Sequence, residues 1–169
     1  MESKIKFNAI YSVKIEDEAP FDLPRVKEYL KIDHDYDNEL IDELICAAKL
    51  NIENFTNISL TTKRIVAHLN NSLGNIYLPL GLATDLVSVT NLDGVDFEKT
   101  KLVNGLLISP CEDDLLVSYN VTVDVIPADL KTFWMQQVAY LYEHRGDEEL
   151  GDISPIIRNS LRSIRKNNY

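Results

Sequence analysis

Apolar and polar positions change rhythm several times along the chain. From Lys4 to Ile15 they alternate, with Ile5, Phe7, Ala9, Tyr11, Val13 and Ile15 on one side, the period of a half-buried strand. Acidic residues and Pro20 end that run. Asp22 is then a good helix N-cap, and Pro24 falls in the first turn, where its missing N–H costs nothing. Val26, Tyr29 and Leu30 make the stripe of a short helix ending near Ile32. A polar turn follows, Asp33-His34-Asp35-Tyr36-Asp37-Asn38, in which Asp35 or Asp37 can cap the next helix. That helix runs to about Thr56. Leu40, Ile41, Leu44, Ile45, Ala48, Ile52 and Phe55 share one face, and Glu39, Asp42, Glu43, Lys49 and Glu53 lie mainly on the other. Two helices joined by so short a turn are expected to pack as a hairpin.

Between about Thr61 and Val125 β-branched residues rise and turn signals recur at Asn70-Asn71, Leu73-Gly74-Asn75, Asp93-Gly94 and Asn104-Gly105. Asp93-Gly94 separates Val87–Val89 from Val95–Phe97, and Asn104-Gly105 separates Leu102–Val103 from Leu106–Ile108; both read as hairpin turns. Leu115 to Val125 adds a strand. Helical spacing returns at Ile126, with Pro127 at the first helical position and Asp129 complementing the N-terminal dipole. Leu130, Phe133, Trp134, Val138, Leu141 and Tyr142 form a broad apolar face. Met135, Ala139 and Tyr140 widen it, leaving a polar stripe at Asp129, Thr132, Gln136 and Glu143. A helix this apolar is central to the fold or covered by a partner. Gly146 is a plausible C-cap. Ser154-Pro155 opens a last helix, in which Ile156, Ile157, Leu161 and Ile164 face one way and the arginines others.

The pattern gives an α+β fold: a helical bundle built by the N-terminal hairpin and the C-terminal helices, with a small antiparallel β-region inserted between them. We expect a single domain of 169 residues. Its parts are an N-terminal strand extension at 1–21, a helical hairpin at 22–60, a β-rich insertion at 61–125 and C-terminal helices at 126–169.

Composition narrows the function. No apolar run nears the roughly 20 residues of a spanning helix, and the N-terminus lacks a signal-peptide core, so a cytosolic product without a membrane partner is expected. Two cysteines, Cys46 and Cys111, are too few for a disulfide framework; Cys46 lies in a helical pattern and is expected to be packed. The net charge of −10 argues against a sequence-reading DNA binder. Charge is unevenly spread. Arg158, Arg162, Arg165 and Lys166 stand in a C-terminal stretch without acids, just after Asp147, Glu148, Glu149 and Asp152. That split suggests a contact arm, or a last helix whose cations complement its own dipole.

No catalytic, cofactor or metal site emerges. Asp33, Asp35 and Asp37 fit positions 1, 3 and 5 of a calcium loop, but Asn38 replaces the required glycine and Leu44 the bidentate glutamate. His34, His68 and His144 are widely separated, and phosphate loops, nucleophile elbows and Cys-x-x-Cys pairs are missing. Phe133, Trp134, Tyr140 and Tyr142 lie at core spacing with no basic residues interleaved, so packing explains them better than base stacking.

Two segments carry a family resemblance. One is Ile126-Pro127-Ala128-Asp129-Leu130-Lys131, leading into an apolar helix that ends Leu141-Tyr142-Glu143-His144-Arg145-Gly146. The other is Asp22-Leu23-Pro24-Arg25-Val26-Lys27-Glu28-Tyr29-Leu30-Lys31-Ile32-Asp33 with the acidic turn and long helix after it. In that order they resemble the head–tail connector (adaptor) proteins of tailed bacteriophages. The resemblance covers roughly Asp22–Thr62 and Ile126–Ile164. It implies a non-enzymatic virion protein at the head–tail interface, assembled in the host cytoplasm, without cofactor or metal. Such a protein forms a ring, usually of about twelve subunits, under the portal protein. The ring extends the DNA channel, where DNA passes without specific binding, and offers a platform to head-closure or tail proteins. On that reading Arg158, Arg162, Arg165 and Lys166 are the expected portal contact. The alternatives are another head-closure or tail-completion protein, or a cytosolic ligand- or calcium-binding module.

Overall fold

The computed structural model describes residues 6–14, 21–70, 74–110, 114–146 and 153–165. Its elements are β1 (Lys6–Lys14), α1 (Leu23–Leu30), α2 (Asn38–Thr56), β2 (Lys63–Asn70), β3 (Gly74–Tyr77), β4 (Asp85–Asn91), β5 (Lys101–Val103), β6 (Leu106–Ser109), β7 (Leu115–Val121), α3 (Ala128–Glu143) and α4 (Pro155–Leu161). Mixed helix and antiparallel sheet is the α+β class that the periodicities imply. The elements gather into two compact units: a β unit containing β1 and Thr61–Asp124, and a helical unit containing α1, α2 up to Leu60, and the chain from Val125 through α4.

The helical unit closes on one core. Val26 of α1, Ile41, Ile45, Ala48 and Ile52 of α2, Leu130, Trp134, Val138 and Leu141 of α3, and Ile157 and Leu161 of α4 are all buried in it. α2 packs most extensively on α3 and only lightly on α1, so the expected α1–α2 hairpin is the minor contact. Trp134 anchors the unit. Its indole N–H donates to the Ile45 carbonyl at 2.9 Å, and its ring meets Phe21 edge-on at 5.1 Å. Asp22 caps α1 as expected, accepting from the Arg25 N–H at 3.2 Å. Both α1 and α2 end on non-glycine residues in the left-handed region, Lys31 (φ 58°) and Asn57 (φ 56°), which satisfy the last carbonyls.

Several expectations fail here, each for a local reason. Glu53 is buried, because its carboxylate accepts the Leu60 N–H at 2.7 Å and the Ser59 hydroxyl at 3.4 Å. Gln137, which the pattern of α3 assigned to neither face, is wholly buried and accepts the Ser154 N–H at 3.0 Å, tying the start of α4 to α3. Tyr29 and Ile156, assigned to inner faces, are exposed; one buried residue suffices for so short a helix as α1, and Ile157 and Leu161 fill that role in α4. Cys46 is exposed rather than packed, and Cys111 lies outside the described residues. Pro127 is the N-cap residue of α3 rather than its first helical residue. The C-cap of α3 is His144, whose N–H reaches the Tyr140 carbonyl, not Gly146.

The β unit holds two antiparallel sheets, ordered β1-β2-β7-β4 and β3-β6-β5. Ile65, Ala67 and Leu69 of β2, Val117 and Tyr119 of β7, Ile76 of β3 and Leu107 of β6 share one core. Burial alternates strictly along β2 and β7, as period two requires. Tyr119 is fully buried and donates to the Pro79 carbonyl at 2.7 Å; burial pushes its phenol far above the ordinary value. The expected Asn104-Gly105 hairpin forms between β5 and β6, with φ of 50° and 76° at the two turn residues, the geometry that Asn-Gly favours. Around Asp93-Gly94 the pairing is a single bridge, Thr90 to Asp96, not a full hairpin. Gly74 and Asn75, expected in a turn, belong to strand β3.

Candidate interaction surfaces

The basic residues expected to form one contact arm divide in the structure. Arg158 and Arg165 lay their guanidinium groups over the Phe55 ring of α2, at 5.9 and 5.4 Å from its centroid. Each such contact contributes about 0.5–1 kcal/mol, so both side chains serve packing as well as charge. Arg162, just past the end of α4, is exposed. Lys166 lies outside the described residues.

The acidic turn between α1 and α2 is tied into the fold. The Lys27 ammonium meets the Asp35 carboxylate at 2.6 Å and the Asn38 side-chain carbonyl at 3.0 Å. The hydrogen bond and charge of Lys27 hold the Asp35 carboxyl below the ordinary carboxylate range. Among the described residues, no three His, Cys, Asp or Glu side chains are grouped to hold a metal ion. Asp37 stands at the N-cap of α2 without a side-chain capping bond; its carboxylate instead accepts the Tyr142 hydroxyl at 2.5 Å. That hydrogen bond raises the Tyr142 phenol above its usual value, and the Arg145 guanidinium stacks 4.3 Å from the ring centroid. Tyr36, in the same turn, is almost fully exposed.

Two further surfaces were not foreseen. In the helical unit an open groove of about 610 Å³ runs between α1 and the start of α3, with Arg25, Glu28, Tyr29, Lys131 and Met135 in its walls. In the β unit the outer face of the β3-β6-β5 sheet carries exposed apolar side chains. Register sets Tyr77, Leu106 and Val103 side by side in one row and Asn75, Ile108 and Lys101 in the next. Tyr77 is 50% exposed, Val103 44% and Ile108 37%. The signal was present in the sequence, where Leu106-Leu107-Ile108 is apolar on both faces of its strand.

Known proteins resemble the chain at two levels. The family model described as phage gp6-like head-tail connector protein matches residues 21–101, from the residue before the α1 cap into β5. The Ile126–Leu130 segment lies beyond the matched residues. A comparison with curated proteins finds no match. Three solved structures share the fold. A chain from the neck of an empty GTA particle computed with C6 symmetry superposes with a TM-score of 0.71 at 14% identity, over 95% of this chain and 97% of that one. A chain from the virion of a native gene transfer agent particle gives 0.68 at 15%, over 95% and 96%. A chain from the neck of a native GTA particle computed with C12 symmetry gives 0.62 at 16%, over 87% and 89%. The whole chain, with both its units, therefore has counterparts of the same fold.

Proposed function

We propose that the chain is a head–tail connector, like the family whose model matches residues 21–101, and that it forms a ring under the portal of a tailed phage or phage-like particle. The observation that carries this reading is the pairing of a family match over α1 to β4 with a fold match along nearly the full chain to proteins of symmetric particle necks. Both units act together as one adaptor module, located in the virion at the head–tail interface. The ring prolongs the DNA channel and presents a platform to a head-closure or tail protein. The work is structural rather than catalytic. A net charge of −10 suits a channel wall along which DNA slides, because like charge keeps phosphates from binding during passage.

In this reading the end of α4 contacts the portal through its basic residues. Arg162 is the informative one, since Arg158 and Arg165 also pack on Phe55. The test is to mix the protein with the portal protein of the same particle and weigh the complex by native mass spectrometry. Wild type is expected to load the portal with multiple copies, and Arg162→Glu to load poorly while keeping the wild-type circular dichroism spectrum and melting temperature. Full loading by Arg162→Glu overturns the contact assignment; a wild-type protein that ignores the portal overturns the function.

A further inference from the structure

The β unit carries exposed apolar side chains on two different elements. One is the outer face of the β3-β6-β5 sheet, with Tyr77, Val103 and Ile108. Leu82 extends it: this side chain is half-exposed and lies against the Asn104-Gly105 turn, so close that a Cβ on Gly105 would fall 2.8 Å from Leu82 Cβ. The other is the turn after β4, where Leu92 and Val95 are each 62% exposed. This turn is built rather than loose. The Asn91 side-chain carbonyl accepts from the N–H groups of Asp93 (3.1 Å) and Val95 (2.8 Å), and the Asn91 main chain bonds Val95 and Gly94 at 3.0 Å each. Gly94 supplies the positive φ, +79°, that so tight a turn needs. Single exposed apolar residues are ordinary on a protein surface. Here two are held together in one hydrogen-bonded turn, and Tyr77, Leu106 and Val103 form an apolar row on the sheet face.

We infer that the Leu92–Val95 turn of one copy docks on the β3-β6-β5 face of the next copy, and that this head-to-tail contact joins neighbours in the ring. The inference rests on the ring reading above. A second copy of this chain is the occupant the observations favour, because the charges around the two surfaces are complementary. The turn carries exposed Asp93 with Asp96 just beyond it, and the sheet face carries exposed Lys101 in the same row as Ile108. Two different surfaces of one subunit, a turn and a sheet face, make a heterologous contact, the type that repeats around a closed ring rather than stopping at a two-fold dimer.

The test uses the full chain with Cys46→Ala and Cys111→Ser, carrying Leu92→Cys and Val103→Cys singly or together. It is assembled alone or on the portal protein and treated with a short bis-maleimide. Native mass monitors assembly separately. The double variant is expected to give a ladder of cross-linked oligomers, and neither single variant to go beyond traces of dimer. A second arm replaces Leu92 and Val95 with Asp in one sample and Val103 and Ile108 with Asp in another. Neither should assemble alone, but a mixture of the two should give dimers, each made by one intact turn and one intact face. Assembly with no ladder, or assembly by the Asp variants alone, overturns this contact and leaves the ring reading standing. Strong dimer from a single-cysteine variant replaces it with a two-fold contact. Wild type that assembles neither alone nor on the portal overturns the ring reading and the contact together.

Discussion

The helical unit and the β unit handle apolar surface differently. The helical unit draws buried apolar side chains from four helices into one cluster, fastened by polar ties between distant segments (Trp134 to Ile45, Gln137 to Ser154, Tyr142 to Asp37), and its exposed apolar side chains, Tyr29, Tyr36, Leu50, Val125 and Ile156, stand on separate segments. The β unit fills its core from two sheets and brings exposed apolar side chains together, Tyr77 and Val103 in one row of the β3-β6-β5 sheet and Leu92 with Val95 in one turn. Grouped exposed apolar area of that kind is what the proposed contact between copies draws on. The contrast suggests that substitutions in the helical unit are felt as stability and those on the β-unit surface as assembly.

The largest effect should come from Trp134→Ala, which removes the anchor of the helical core. Such truncations cost about 3–5 kcal/mol, and chemical denaturation followed by circular dichroism measures it. A loss under 1 kcal/mol would mean that the helical unit does not depend on that core. Next come Gln137→Ala and Glu53→Ala. Each strands a buried backbone N–H, of Ser154 or Leu60, at a cost of about 1–3 kcal/mol. Replacing Glu53 by Gln, which keeps an acceptor, should recover most of the loss; no recovery would argue against the N–H bond as the cause.

Tyr142→Phe should cost about 0.5–1.5 kcal/mol by deleting the hydrogen bond to Asp37. Its pH dependence has a definite sign. The folded phenol titrates above its unfolded value of 10.0, so the stabilisation is fully present below that pH and is lost as pH rises through the higher folded value. Wild type and Tyr142→Phe should therefore converge in strongly alkaline solution, which paired denaturation curves test. Asp35 behaves oppositely: its lowered value makes its contribution present above 3.8 and lost as pH falls further. The smallest stability change is expected on the sheet face, where the joint substitution Val103→Thr with Ile108→Thr keeps β-branched residues. It should move the unfolding free energy by about 0.5 kcal/mol or less while weakening self-association in sedimentation velocity. A large destabilisation with unchanged association would invert the contrast between the units.

Legibility in the sequence followed the length of each periodic run. The bounds of α2, the cap of α1 and the Asn104-Gly105 turn were readable because each rests on contiguous residues with one local cause. Short helices were misread on their exposed sides, as Tyr29 and Ile156 show, since seven or eight residues offer too few turns to define a face. The burial of Glu53 and Gln137 depends on N–H groups at Leu60 and Ser154, whose positions no pattern around those two residues reveals. Among candidate site residues, the basic run was visible, but the stacking of Arg158 and Arg165 on Phe55 joins segments about a hundred residues apart in sequence. The left-handed caps at Lys31 and Asn57 had no glycine to announce them.

The central claim is that this chain is a ring-forming connector, and the native mass of its complex with the portal protein of the same particle tests it most directly. The account predicts one discrete complex bearing a full ring, about twelve copies if it follows the C12 neck it resembles. A portal that stays bare at saturating protein would contradict it.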